Sequence, residues 1–324
     1  DKYLMPHGAA VMQYPGEKSG LASMSSFDHL MMTTPSTIAL PRRGVLQELG
    51  EILTDVSQAR GLIYQLTLRD IRIRYKQAAI GFAWAIISPL VIVAAGVIVR
   101  LVMVSMAGQP FGMANAAAIM VKSVAWGFFA AAIGYATHSL TSNWALLTKV
   151  YFAREVLPLS VILASTFDSL IGAGVVALLM PFIGWTPSWA LLWLPLLVCL
   201  LFSLTLAAGL FFSCANLFFR DVRYVIQLLL TFGIFFTPIY YEPAALGARW
   251  IVPQMLNPLS PIVEGLRLSV VDGHNLLETI RRASDGALIW SPLYLAYSAV
   301  WAIGGLLVAA LVFHRAQFRF AEYV

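Results

Sequence analysis

The residues of this sequence best placed to do chemistry are charged side chains set inside or beside long apolar runs. Asp168 stands about a dozen residues, or ~18 Å of helix, into one such run, near mid-depth if the run crosses a bilayer. An ionisable group there is costly and is normally shielded by a partner. Its role stays open between a structural ion pair or hydrogen bond and a place on a transport pathway. Arg100 and Lys122 fall near the ends of two other runs, where snorkelling to the head groups is the ordinary use and ligand contact the alternative. Glu264 and Arg267, spaced i to i+3, are neighbours on one helical face and can pair. At an outer gate the pair would hold the element shut, and Arg267 with Arg100 and Lys122 would offer cationic contacts to an anionic ligand. Phe232, Phe235, Phe236 and Tyr240 recur at helical spacing. Such a row can pack on the C–H faces of sugar rings, although helix packing is its common use.

Several kinds of chemistry find no support in the spacing of residues. There is no G-x-x-x-x-G-K-[ST] loop, so if ATP drives this protein another chain must bind it. HExxH and CxxC are also missing, and five scattered histidines make no metal site. Cys199 and Cys214 share one apolar block without ligand-like spacing. The acidic residues Glu242, Glu264, Asp272, Glu278 and Asp285 show no catalytic spacing, which weakens the alternative of a membrane-embedded glycosyltransferase or ligase. An ion-coupled carrier would bring internal repeats and several mid-membrane charges, and neither is evident.

The elements that must position these residues are membrane spans. Of the 324 residues, 60% are hydrophobic and 11% charged, against roughly 25% charged in a soluble domain. The net charge of +5 is concentrated at the ends of apolar blocks, which is an orientation signal and not a nucleic-acid footprint. Six blocks, 80–104, 119–140, 156–183, 189–212, 225–241 and 292–313, mostly reach the ~18 residues a span needs, and the fifth is the shortest. Lysine and arginine gather before the first span, at Lys149 and Arg154, at Arg220 and Arg223, and after the last span. The loops 105–118 and 184–188 contain neither. Both termini are therefore expected in the cytoplasm.

Two elements depart from simple crossings. The stretch 60–77 places Tyr64, Leu68, Ile71 and Tyr75 on one stripe, with Arg69, Arg72, Arg74 and Lys76 available for head groups or a diphosphate. A helix at the cytoplasmic lipid surface is expected, although 70–75 also alternates like a short strand. Between the fifth and sixth spans, 244–256 and 259–271 are apolar but too short to cross. Asn257-Pro258 supplies a tight reversal, so the pair is expected to enter the membrane from outside and return. Residues 1–59 read as a polar cytoplasmic extension and 60–324 as the transmembrane domain.

Four stretches carry a resemblance: RDIRIRYKQAAIGFAWAIISP (69–89), NWALLTKVYFAREVLPLS (143–160), NLFFRDVRYVIQLLLTFGIFFTPIYY (216–241) and LNPLSPIVEGLR (256–267). In their order they resemble the permease subunits of ABC-2 type exporters for O-antigen, capsule and teichoic-acid polysaccharides. Ala153 stands where that family often has proline, and Val124-Ala125-Trp126 replaces a Leu-Pro-Trp. The resemblance implies an all-α inner-membrane protein that acts as a homodimer. A separate ATPase would bind ATP and Mg, and a lipid-linked glycan would be the substrate. It also implies that Asn143, Lys149, Arg154 and Glu155 lie in a segment that couples to the ATPase.

Overall fold

The computed structural model describes residues 44–76, 83–106, 113–149, 152–317 and 320. Among them, eleven α-helices follow in order: α1 Val45–Gln58, α2 Arg60–Lys76, α3 Trp84–Met106, α4 Met113–Ser142, α5 Trp144–Lys149, α6 Val156–Leu179, α7 Leu194–Phe218, α8 Val222–Phe236, α9 Ala248–Met255, α10 Leu259–Val270 and α11 Pro292–Ala316. The long helices coincide with the apolar blocks because a backbone without water must satisfy its polar groups internally. Four apolar stretches are long enough to cross a membrane: Asn115–Ser142, Val156–Ile183, Trp189–Phe218 and Pro292–Ala316. The chain is thus a multi-pass, predominantly helical membrane protein. Two further apolar stretches, Leu90–Met106 and Val222–Phe236, are shorter. The block read as 225–241 ends as a helix at Phe236, with extended backbone at Thr237.

The bundle is organised around α4, which packs on α3, α6, α7, α8 and α10. Small residues allow the close approaches. A Cβ on Gly209 of α7 would lie 2.7 Å from Ile162 Cδ1 and 3.2 Å from Ala136 Cβ, so α4, α6 and α7 meet there. At Gly96 of α3, a Cβ would lie 2.6 Å from Ile119 Cγ2 and 2.8 Å from Tyr240 Cε1. One apolar core, with Trp126, Phe128, Leu197, Ile262 and Trp290, joins α4, α7 and α10. A second, with Leu140, Leu157, Leu210, Phe313 and Phe320, closes the opposite end.

An amphipathic helix, α1, occupies part of the stretch read as a polar extension. Arg315 of α11 pairs with Glu48 of α1 at 2.9 Å, which ties the two helices together. Residues 70–75 are helical, the form expected of this stretch. Leu66, 7% exposed, is the side chain of α2 most covered by protein, and Tyr64 is 61% exposed. The contacts of α2 follow α6: Thr67 donates to the Ser160 carbonyl, while Arg74 and Tyr75 reach Asp168. Those contacts advance together along both chains, so α2 runs beside the first half of α6.

The segment between α8 and α11 contains α9 and α10 where the two short apolar pieces were read, with Asn257 at their junction. Its Oδ1 accepts from the Leu259 amide at 3.2 Å, and its Nδ2 donates to Thr237 Oγ1 at 3.1 Å. Pro253 lies inside α9 rather than dividing elements. A small antiparallel pair, β1 Ile280–Arg281 and β2 Leu288–Trp290, is the one departure from an all-α description among the described residues. Ser291 then caps α11 by accepting from the Leu293 amide, with Pro292 at the first helical position.

Candidate functional site

Lys122 of α4 and Glu264 and Arg267 of α10 meet in the interior. Lys122 Nζ lies 3.3 Å from Glu264 Oε2, and Arg267 Nη2 lies 2.7 Å from Glu264 Oε1. Glu264 is fully buried and Lys122 is 1% exposed, so Lys122 does not snorkel to a head group as expected from sequence. The reason is local: a carboxylate and the Tyr241 carbonyl, 3.0 Å away, solvate the ammonium in place of water. Arg267 also reaches Asp272 Oδ2 at 2.7 Å. Burial pushes the Asp272 carboxyl above its ordinary value, Arg267 opposes that shift, and Glu264 and Glu242 reinforce it.

Arg100 joins the same end of the bundle from α3. Its Nη2 lies 3.1 Å from Glu242 Oε1 and 3.2 Å from Asn115 Oδ1. Glu242 adjoins Tyr241, whose carbonyl holds Lys122, so the two clusters share one stretch of backbone. Three cations, Arg100, Lys122 and Arg267, thus stand against three carboxylates, Glu242, Glu264 and Asp272. Gln254 of α9 donates to the Tyr241 hydroxyl at 2.6 Å, which in turn donates to the Phe235 carbonyl. α9 and the end of α8 are thereby tied to Tyr241, whose carbonyl holds Lys122. Glu242 and Asp272 were legible in the sequence only as acidic residues without catalytic spacing. Partners 142 positions apart leave no local pattern.

The aromatic row does not form as a continuous stripe. Phe232, Phe235 and Phe236 of α8 are 52%, 60% and 73% exposed, so more than half of each side chain is left uncovered by this chain. Tyr240 lies beyond the end of α8 and packs against Gly96.

At the other end, Asp168 is held by Arg74 and Tyr75 of α2, and Ser165 also accepts from Arg74 at 3.2 Å. Arg69 instead pairs with its neighbour Asp70 at 2.8 Å, while Arg72 and Lys76 are exposed. Asn143 closes α4 by donating to the Ser139 carbonyl, and its own carbonyl accepts from Leu146 and Leu147 to start α5. Lys149 ends α5 and is exposed. Arg154 and Glu155 turn inward: Arg154 donates to the Gln317 carbonyl and lies 5.5 Å from the Phe320 ring centroid. Glu155, 5% exposed, meets His314 Nδ1 at 3.2 Å. Of the four residues assigned to coupling, Glu155 therefore presents its carboxylate to α11 and not to an outside partner.

These features define a polytopic membrane protein with a sealed charge network at one end and an exposed polar turn at the other. The chain belongs to the ABC-2 type transporter family, whose model matches residues 61–271. It is similar to the O-antigen export system permease protein RfbA of Myxococcus xanthus, with 24% identity over 275 residues, covering 84% of this chain and 99% of that protein. It is similar to the protein of the same name from Klebsiella pneumoniae, with 25% identity over 266 residues, covering 81% and 94% of the two chains.

Proposed function

We propose that this chain is the transmembrane permease subunit of an ATP-driven exporter that carries a lipid-linked polysaccharide out across the cytoplasmic membrane. The carrying observation is the near full-length similarity to permeases named for O-antigen export, within the ABC-2 type transporter family. In this reading two copies pair and a separate ATPase binds ATP and Mg. The membrane is crossed six times with both termini inside, and α9 and α10 form a re-entrant outer gate. The polar extension before residue 60 lies in the cytoplasm. The absence of a nucleotide-binding loop from the sequence requires the second chain.

The decisive experiment removes the chain from its cell and scores surface polysaccharide. Loss of surface glycan, with lipid-linked glycan accumulating inside and both restored by the full chain, is expected. Unchanged surface glycan would reject export as the function. Purified alone the chain should hydrolyse no ATP.

Coupling is tested at Lys149, the exposed member of its segment. Lys149→Glu is expected to weaken co-purification with the ATPase several-fold and to lower export in proportion. Unchanged association and export would remove the coupling assignment.

Orientation is tested by cysteine labelling with Cys199 and Cys214 replaced. Thr186→Cys, in the lysine-free loop, should react with an impermeant thiol reagent in intact cells, and Lys149→Cys should react only after permeabilisation. Labelling of Lys149→Cys from outside would overturn the six-span arrangement.

A further inference from the structure

The turn between α7 and α8 and the end of α4 enclose a cavity of about 590 Å³ lined by Thr141, Trp144, Asn216, Leu217, Phe218, Arg220 and Arg223. Two guanidinium groups line it and no carboxylate does. Asp221, which lies between them in sequence, is exposed and caps α8 outside the lining. Arg223 is oriented by Tyr224, whose hydroxyl accepts from Nη2 at 2.7 Å. Among the described residues, Arg220 has no acidic partner. Paired guanidinium groups present planar forks of donors that match phosphate oxygens.

A second cavity, of about 540 Å³, shares Arg223 with the first and climbs between α4 and α8. Its polar wall is made of Tyr135, His138, Gln227 and Thr231. Arg223, Gln227 and Thr231 are spaced i, i+4 and i+8, so they form one line along α8 extending ~12 Å from the arginine. A polar line on a membrane helix is expensive unless it faces a protein-shielded or water-filled path. Arg74 lies over the Tyr135 ring at 4.0 Å, which adds a third cation beside this crevice.

We propose that this joined cavity is an anion-and-hydroxyl site: Arg220 and Arg223 receive a phosphate or diphosphate, and the crevice above them receives the hydroxyl groups of sugars attached to it. The inference rests on the export reading and deepens it by naming where the charged group of the substrate is bound. A partner protein inserting an acidic side chain would use only the lower cavity. The continuation past Gln227 to Thr231 favours a ligand that is charged at one end and polar along its length.

The test uses the full chain in phosphatidylethanolamine nanodiscs, with Cys199 and Cys214 replaced and a fluorophore on Thr141→Cys at the cavity wall. Titration with a polyprenyl diphosphate is expected to give a saturable change. Its midpoint should rise at least tenfold in Arg220→Gln/Arg223→Gln and return only in part in Arg220→Lys/Arg223→Lys, which keeps the charge but not the forked donors. Phosphatidylglycerol at the same mole fraction should give no saturation. An equal response to phosphatidylglycerol, or a response indifferent to the arginines, overturns the site as a general lipid surface. A label that responds to neither lipid but is shielded by the partner ATPase overturns it as a docking socket. Gln227→Leu/Thr231→Val should leave diphosphate binding intact and lower glycan export at least tenfold; full export overturns the hydroxyl half. Should removal of the whole chain leave surface glycan unchanged, the export reading fails by itself, whereas the lipid titration judges the anion site.

Discussion

Glu264→Ala is expected to reduce the folded yield of the protein more than any other single charge deletion in the cluster of Lys122, Glu264 and Arg267. The substitution strands Lys122, 1% exposed, and leaves Arg267 with Asp272 alone. Removing one member of a buried ion pair costs about 3–5 kcal/mol, because the remaining charge can neither hydrate nor find a new partner. Lys122→Met/Glu264→Gln should recover most of that loss, since it removes the stranded ammonium and keeps a hydrogen-bond acceptor for Arg267. Thermal unfolding in detergent and the monodisperse fraction after purification measure both variants. A single variant that melts like the parent would mean that water reaches the site. The double variant then separates two roles: full export with restored folding makes the cluster structural, whereas normal folding with poor export keeps it on the outer gate.

The second large effect is expected at Asp168. Asp168→Leu leaves Arg74, whose side chain is 14% exposed, with the Ser165 hydroxyl and the Tyr135 ring but no counter-charge, and removes the acceptor of the Tyr75 hydroxyl. A loss of about 3 kcal/mol is expected, at the lower end for a buried pair because Asp168 itself is 29% exposed. Since Arg74 and Tyr75 fix the end of α2 to α6, the variant should also make α2 cleavable by added protease at concentrations that spare the parent. Arg74→Leu/Asp168→Leu should regain protection by replacing the pair with apolar contact. Equal protease resistance in all three proteins would show that Thr67 and Leu66 hold α2 without the charge.

Most of the helical layout was legible in the sequence because bilayer length and helix rise leave few alternatives for long apolar blocks. The break between α9 and α10 was legible for a different reason, as the Asn-Pro pair at 257–258 carries its own hydrogen-bonding chemistry. Charge pairing was legible only where it is local. Glu264 and Arg267 are three positions apart and could be matched directly, whereas Lys122 was read as a snorkelling residue because its partner lies on another helix. For the same reason the side of α2 that meets protein was not legible, since packing on α6 selected Leu66 and Arg74. Arg220 and Arg223 were seen as orientation charges. The missed signal was the line from Arg223 through Gln227 to Thr231, which breaks the apolar character of α8 at a regular interval.

The length of α8 has a consequence for the lipid around it. Fifteen residues make a helix of ~22 Å, short of the ~30 Å hydrocarbon thickness of an ordinary bilayer. Beyond Phe236 the backbone becomes extended, with Thr237, Pro238 and Ile239 buried, so the remaining depth is shielded by protein rather than by more helix. On any face where that shielding ends, acyl chains must compress to meet the polar backbone. Thinning costs fractions of a kcal/mol per Å of mismatch. With six crossings, as proposed, α8 would favour a locally thinned leaflet beside it. Short-chain phospholipids should gather along this helix, and thick, ordered membranes should exclude it.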